Sequence, residues 1–253
     1  MQNIIPIHVK SLEQCDNDTS NLAHIVAKHG VVQIKPPPAG PAELVKFLLK
    51  LGPLMFTDGE VAVPQHPNLN IVTNVNRATK PKSVFHSDTS YVLYPPSFSA
   101  LIAIEVPTSG GATLFTNQYA ALDKLDNELC RLLVGAKVLH APTDVPDTGA
   151  VWHPLIRKNP HSGRSSLFLT SISRCQRLEL SDGTDRTDLL SFLYNHSITC
   201  GPLQEHIWAT GDVIIWDNRC TLHAADHSQV LGNRTLFRGL VCGEKPTEGL
   251  VNS

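Results

Sequence analysis

His86 and Asp88 place an imidazole and a carboxylate two positions apart in the chain. On extended backbone, residues i and i+2 project to the same side, so these two side chains could bind one metal ion. The spacing is weak evidence alone, because such a pair is often hydrogen-bonded on a protein surface. His223 is a third candidate, since it follows the apolar run 213–216 and a polar turn that would bring it to a sheet edge or barrel mouth. By itself, His223 could equally be a structural histidine.

Two imidazoles and one carboxylate on a single face would leave three positions open on an octahedral ion. Non-haem Fe(II) oxygenases use such open positions to admit a co-substrate and O₂. The three side chains therefore indicate a redox-active iron site as one interpretation.

Two arginines, Arg234 and Arg238, lie four residues apart in the strand-like run 234–241. Alternate positions of a strand face the same way, so both guanidinium groups would share one face with apolar neighbours around them. Burying two such groups is costly unless anions bind them. The alternative is a pair of surface arginines on an edge strand.

Short strands must position these residues. The pattern predicts helices over 20–30 and 41–51, an irregular segment over 54–68, and further helices over 118–134 and 185–196. Helices followed by a strand-rich body favour a double-sheet barrel over an alternating βαβ array. The predicted strands are 31–34, 69–75, 98–106, 113–116, 136–139, 151–158, 165–169, 206–209, 213–216 and 234–242.

We expect one domain over residues 1–253, with an N-terminal helical part at about 1–55, a barrel at about 69–242 and a short C-terminal tail. The turn-rich segment 141–149 is long for a tight connection and is interpreted as a lid or specificity loop.

The 253 residues are 42% apolar and 17% charged, with a net charge of −2. No stretch concentrates Lys and Arg, which argues against nucleic acid or an anionic membrane as partner. The first residues lack the pattern of a secretory signal, and no window approaches the ~20 apolar residues of a membrane span. Six scattered cysteines without a Cys-x-x-Cys pair indicate reduced thiols. The expected location is therefore the cytoplasm.

Four motifs follow one another along the chain: His86-x-Asp88, Gly110-Gly111-Ala112-Thr113-Leu114-Phe115, Trp216-Asp217-Asn218-Arg219 with His223, and Arg234-x-x-x-Arg238. Taken in this order, they resemble the taurine / 2,4-dichlorophenoxyacetate dioxygenase family of Fe(II)- and 2-oxoglutarate-dependent enzymes. The resemblance runs from about residue 20 to 245, and the stretch 153–157 followed by 159–164 also resembles the middle of that family's barrel. It implies a mainly β fold with flanking helices, a double-stranded β-helix (jelly-roll, cupin-like) barrel, and a homodimer or homotetramer.

By this resemblance, His86, Asp88 and His223 are the iron ligands. Thr113 and Arg234 would hold the distal carboxylate of 2-oxoglutarate, because a forked guanidinium suits a carboxylate and a hydroxyl can add a hydrogen bond. The 2-oxo acid end would chelate the iron and leave one position for O₂.

The resemblance also implies a substrate site. Arg238 matches the position that holds the anionic group of sulfonate or carboxylate substrates. His66 lies about where the family places a further substrate-contacting histidine, and Asn74 and Tyr91 could line the same pocket. Ordinary packing in strand and loop is the alternative for Asn74 and Tyr91.

The implied reaction is oxidative decarboxylation of 2-oxoglutarate to succinate and CO₂, coupled to oxidation of an unactivated C–H bond of a small organic acid. Hydroxylation is the expected outcome. The alternatives are removal of a heteroatom group, desaturation, ring closure or another tailoring reaction in natural-product or amino-acid metabolism. Asp88 argues against halogenation, because related halogenases have Gly or Ala there. Two other classes are a cupin-like module that binds without turnover and a zinc hydrolase. The hydrolase would need a general base and would leave Thr113, Arg234 and Arg238 without roles.

Overall fold

The computed structural model describes residues 4–11, 19–76, 83–142 and 149–251. The helices in these ranges are α1 (Thr19–His29), α2 (Pro41–Leu49), α3 (Gln118–Asp123), α4 (Asn127–Leu132) and α5 (Leu190–Thr199), and a 3-10 turn, Thr187–Leu189, precedes α5. The strands are β1 (Ile4–Ile5), β2 (His8–Lys10), β3 (Val31–Ile34), β4 (Leu54–Met55), β5 (Ala62–Val63), β6 (His66–Thr73), β7 (Phe98–Glu105), β8 (Thr113–Asn117), β9 (Lys137–His140), β10 (Val151–Pro154), β11 (Ile156–Lys158), β12 (Ser165–Leu167), β13 (Cys175–Glu179), β14 (Leu203–His206), β15 (Val213–Asp217), β16 (Thr221–Ala225) and β17 (Thr235–Val241).

The larger sheet has eight strands. Seven of them follow the order β2-β3-β15-β7-β17-β6-β5, and β4 pairs with the end of β17. Strand β15 and most of β7 are buried on both faces. Both sequences are therefore largely apolar, although β7 contains the polar Ser99, because helices cover one face and a second sheet covers the other.

The second sheet, β1-β14-β8-β16, faces the first across the barrel interior. Phe115 of β8 packs there against Trp216 of β15, with Leu101 and Leu236 from the larger sheet in the same buried cluster. The mainly β architecture with flanking helices confirms the predicted barrel class. Two smaller sheets, β10-β9-β13 and β11-β12, extend the fold beside it.

Helices α1 and α2 close the outer face of the larger sheet. Leu22 and Val26 of α1 and Leu44 and Leu48 of α2 are buried in one cluster with residues of β3, β7 and β15. Pro41 at the first position of α2 favours the helix start, because its fixed φ suits a helix and its missing N–H would have no helical partner there. These helices hold the back of the sheet and leave its inner face to the site.

Several boundaries differ from the predictions. The predicted helix 118–134 is two helices, because the Asp126 carboxylate accepts hydrogen bonds from the N–H groups of Glu128 and Leu129 and starts a new helix. The predicted helix 185–196 begins only at Leu190, after the 3-10 turn. The predicted strand 206–209 is wrong by three residues, since β14 ends at His206.

Other segments were assigned to the wrong class. The segment 54–68, predicted as irregular, contains β4, β5 and the start of β6. The predicted strand 151–158 is interrupted at Leu155, and β13 and β16 were not predicted. Most of the 141–149 segment lies outside the described residues, at 143–148. In the part of the chain that the structure describes, no helix has the length and apolar character needed to cross a membrane.

Candidate active site

A backbone bridge brings two of the candidate metal ligands together. The N–H of His86 donates to the carbonyl of His223 at 3.0 Å, and the N–H of His223 donates to the carbonyl of His86 at 2.9 Å. His223 lies in the middle of β16, which pairs with β8. The sequence placed His223 after a turn, whereas the structure places it on a buried strand whose register fixes its position.

The side chains of His86, Asp88 and His223 converge inside the barrel. One ligand atom from each lies within 4.8 Å of the others. The Nε2 atom of His86 is 3.9 Å from Oδ1 of Asp88, and Nε2 of His223 is 3.8 Å from Oδ2. His86 donates from Nδ1 to the carbonyl of Val84 at 2.9 Å, which leaves the Nε2 lone pair free for a metal ion.

The electrostatics of this cluster favour the ligand forms of all three groups. Burial, followed by the neighbouring His86, lowers the pKa of His223 to about 3. Burial also lowers the pKa of His86. Burial alone would raise the pKa of Asp88, but Arg238, the two imidazoles and a hydrogen bond from Ser99 hold it below its ordinary value. Neutral imidazoles beside an ionised carboxylate are the forms that bind a divalent cation.

A second buried polar cluster, formed by Arg234, Thr113 and Trp208, lies at the start of β8. The guanidinium of Arg234 donates from Nη2 to Oγ1 of Thr113 at 3.2 Å and from Nε to the carbonyl of Gly111 at 2.9 Å. The indole of Trp208 donates to the same Thr113 oxygen at 3.0 Å. A Cβ on Gly111 would lie 3.1 Å from Cδ of Arg234 and 2.9 Å from Pro107, so glycine allows this close approach.

Arg234 is a buried cation that needs an anion. It is 2% exposed, and burial lowers its pKa to about 10. No carboxylate within the described ranges forms an ion pair with it. A buried guanidinium beside a hydroxyl is suited to bind a carboxylate, which would supply the missing negative charge.

Arg238 lies within β17, whereas Arg234 immediately precedes that strand, and it is Arg238 that contacts the metal cluster. It donates from Nη1 to Oδ1 of Asp88 at 2.6 Å and from Nη2 to Oε1 of Glu60 at 3.3 Å. The Nε atom of Arg238 is buried and has no hydrogen-bond partner within the described structure. No sequence pattern predicts the contact with Asp88 or the presence of Glu60.

The three remaining candidates have different surroundings. Tyr91 is partly buried, the guanidinium of Arg174 lies 5.3 Å from its ring centre, and Glu60 and Arg238 are among the charges that act on it. Asn74 instead bonds main chain, since it accepts from the N–H of Arg234 at 2.8 Å and donates to the carbonyl of residue 232 at 3.0 Å.

His66 opens β6 and is partly buried, and no contact joins it to the cluster in the described part of the chain. In the described part of the chain, Tyr91 thus lies beside Arg174, Asn74 lies beside Arg234, and His66 has no contact with the metal cluster.

The sequence patterns indicated no role for four residues that lie near these groups: Glu60, Ser99, Trp208 and Asn218. Asn218 lies in a motif that the sequence singled out, and Trp208 lies just before the turn that leads into β15. Neither position carries a local spacing signal, because each contact joins distant parts of the chain.

Among known proteins, the model of the family "Taurine catabolism dioxygenase TauD, TfdA family" matches residues 7–240 of this chain. The alpha-ketoglutarate-dependent 2,4-dichlorophenoxyacetate dioxygenase of Burkholderia sp. is 31% identical over 64% of this chain, and the match spans 59% of that protein. The enzyme of the same name from Cupriavidus pinatubonensis is 27% identical over 87% of each chain.

A solved structure has the same fold. The crystal structure of a putative alpha-ketoglutarate-dependent taurine dioxygenase from Burkholderia xenovorans superposes with a TM-score of 0.81 at 23% identity. The superposition covers 100% of this chain and 98% of that one. Alpha-ketoglutarate is another name for 2-oxoglutarate.

Proposed function

The chain belongs to the taurine catabolism dioxygenase TauD, TfdA family, whose enzymes use Fe(II), 2-oxoglutarate and O₂, and from this premise we propose that it hydroxylates a C–H bond of a small anionic organic acid. Succinate and CO₂ are the products from the co-substrate. The observation that carries the proposal is the convergence of two neutral imidazoles and one ionised carboxylate within 4.8 Å of one another, together with the buried guanidinium of Arg234, which has no carboxylate partner in the described structure.

His86, Asp88 and His223 would hold the iron. Their donor set is two nitrogens and one carboxylate oxygen, which suits Fe(II) and leaves room for other ligands. Bound iron with 2-oxoglutarate supplies the oxidising chemistry of the family. The chain itself keeps the imidazoles unprotonated by burying them and keeps the carboxylate ionised with adjacent donors.

Arg234 and Thr113 would bind the distal carboxylate of 2-oxoglutarate. The guanidinium is already oriented by the carbonyl of Gly111, and the hydroxyl is oriented by the indole of Trp208. Little side-chain freedom therefore remains to be lost when the carboxylate binds, which favours affinity. Burial of the guanidinium strengthens its attraction for an anion, because water screens it little.

Arg238 would bind the anionic group of the substrate. Its side chain is 12% exposed and lies against Asp88, so an acid held there would present its carbon atoms close to the metal. Tyr91 would border the same space. The names of the relatives above include a chlorinated phenoxyacetate, an acid of this general kind.

An anaerobic titration tests the metal and co-substrate site. Fe(II) and 2-oxoglutarate are added to the metal-depleted protein while the weak visible charge-transfer band of the chelate is followed. We expect a saturable band in the wild type, none in Asp88→Ala, and a normal band in the control Asp185→Ala, which removes an exposed carboxylate paired with Arg177.

Absence of the band in the metal-replete wild type would overturn the proposed function and direct attention to zinc-dependent hydrolysis. If the band is present, candidate acids can be screened by the change that they cause in it. Succinate release with O₂ then identifies compounds that are turned over.

A further inference from the structure

The strand register places an interior serine and an interior tryptophan side by side. Ser99 of β7 pairs directly with Trp216 of β15 in the antiparallel ladder. Directly opposed residues of two neighbouring strands project to the same face, which here is the barrel interior that holds Asp88. Ser99 and Trp216 are 0% exposed, and Asn218, in the turn after β15, is 2% exposed.

Three hydrogen bonds connect these residues to a candidate metal ligand. The indole Nε1 of Trp216 donates to Oδ1 of Asn218 at 3.1 Å, and Nδ2 of Asn218 donates to Oγ of Ser99 at 2.7 Å. The hydroxyl of Ser99 then donates to Oδ2 of Asp88 at 2.7 Å.

The direction of this chain is fixed at both ends. An indole N–H can only donate, and an ionised carboxylate can only accept. The amide of Asn218 must therefore turn its oxygen to Trp216 and its nitrogen to Ser99. The hydroxyl of Ser99, having accepted from the amide, directs its own hydrogen to Asp88. A buried network whose members are all satisfied in this way is rigid.

We propose that the chain from Trp216 through Asn218 and Ser99 fixes the orientation of the Asp88 carboxylate and thereby sets the metal affinity of the site. This positioning role rests on the proposed function, because it concerns the same metal centre. The three residues are positioning residues and act through Asp88. Ser99 holds Oδ2 in place, so the carboxylate cannot rotate away from the two imidazoles without breaking a buried hydrogen bond.

Trp216 also contacts a second ligand. Its ring centre lies 4.5 Å from that of His223, with the planes inclined by 48°. One side chain thus packs against an imidazole ligand and starts the hydrogen-bond chain to the carboxylate ligand. Partners of this kind, one step removed from the metal, are worth about 10- to 100-fold in metal affinity.

Titration of the metal-depleted protein with Co(II) alone tests the proposal, since the visible spectrum of Co(II) reports both affinity and coordination geometry. We expect Ser99→Ala to weaken Co(II) binding by about 10- to 100-fold and to change the spectrum. Ser99→Thr keeps the hydroxyl and should stay within about threefold of the wild type. Asn218→Asp should weaken binding as much as Ser99→Ala, because an ionised carboxylate at 218 would accept the Ser99 proton and leave Asp88 without its donor.

Ser97→Ala is the matched control. Ser97 is another buried serine close by in the chain, but its hydroxyl donates to the carbonyls of Val241 and Cys242 and not to Asp88. It should therefore lose stability without losing Co(II) affinity. If Ser99→Ala does not fold, the Co(II) affinities of Ser99→Thr and Asn218→Asp can still be compared. Both substituted side chains are close in shape to the native ones.

The outcomes separate this proposal from the proposed function. A wild type that fails to bind Co(II) overturns the metal site itself. A wild type that binds Co(II), with a folded Ser99→Ala or Asn218→Asp that binds it equally well and with the same spectrum, overturns the positioning role alone. Equal losses of Co(II) affinity in Ser97→Ala and Ser99→Ala would also overturn the positioning role, because the effect would then be general to buried serines.

Discussion

Arg238 donates a hydrogen bond of 2.6 Å from Nη1 to Oδ1 of Asp88, so a candidate substrate-binding guanidinium touches a candidate metal ligand directly. The other nitrogen of the fork, Nη2, reaches Glu60 at 3.3 Å. The two proposed sites are therefore adjacent, and the charge of Arg238 acts on both. This arrangement explains why an acid bound by Arg238 would lie within reach of the metal.

Replacing Arg238 by Ala should raise KM for an acidic substrate by roughly 30-fold or more, since removing one partner of a buried charge pair costs about 2–5 kcal/mol. The affinity for 2-oxoglutarate, measured by the charge-transfer titration at saturating Fe(II), should change by less than about threefold. Saturating metal is needed because the variant also deprives Asp88 of a donor. Loss of 2-oxoglutarate binding instead would show that the roles of Arg234 and Arg238 are exchanged.

Replacing Arg234 by Ala should weaken 2-oxoglutarate binding by roughly 30-fold or more, on the same reasoning about buried charge pairs. Thr113→Val should weaken it less, by several-fold, because one neutral hydrogen bond is worth about 1 kcal/mol. That variant also leaves the buried indole of Trp208 without its acceptor, so its melting temperature should fall. Unchanged 2-oxoglutarate affinity in Arg234→Ala would contradict the assignment, and Co(II) binding should remain intact in both variants.

Replacing Glu60 by Gln should lower KM for an anionic substrate by a few-fold. The carboxylate of Glu60 offsets part of the positive charge of Arg238, and the exchange removes that charge while it retains a similar shape. The expected effect is small because the Glu60 side chain is 36% exposed and water screens it. A raised KM would indicate that Glu60 itself contacts a cationic group of the substrate.

The free energy of unfolding of the metal-depleted protein should fall as the pH falls from about 6.5 to about 4. Burial lowers the pKa of His140 to about 3 and that of His153 to about 4, from an ordinary value of 6.5. Between these values the unfolded chain binds protons that the folded protein excludes, so acid favours unfolding. From pH 6.5 to 5 the loss should be about 2 kcal/mol for each histidine.

Urea denaturation at a series of pH values measures this effect. His140→Phe fills the space beside Phe168 and cannot titrate, so its stability should depend less on pH than that of the wild type. Identical pH dependence in the variant and the wild type would contradict the assignment of the loss to His140.

The sequence predicted the elements that depend on local spacing. Helices α1 and α2 carry apolar residues at helical intervals and end near glycine, and strands such as β7 and β15 are largely apolar, so their positions follow from short-range patterns. The break between α3 and α4 was missed, because the helical spacing continues through it and only the side chain of Asp126 interrupts the backbone.

For the site, the sequence determined which chemical groups exist and in what order: His86 two residues before Asp88, and Arg234 four residues before Arg238. Tertiary structure decided which groups meet. Arg238 contacts Asp88, which is 150 residues away in the chain. Ser99 lies beside Trp216 only because β7 and β15 pair in one register. A shift of one residue in that register would turn these side chains to the opposite face, and no local pattern in the sequence fixes a register between strands so far apart.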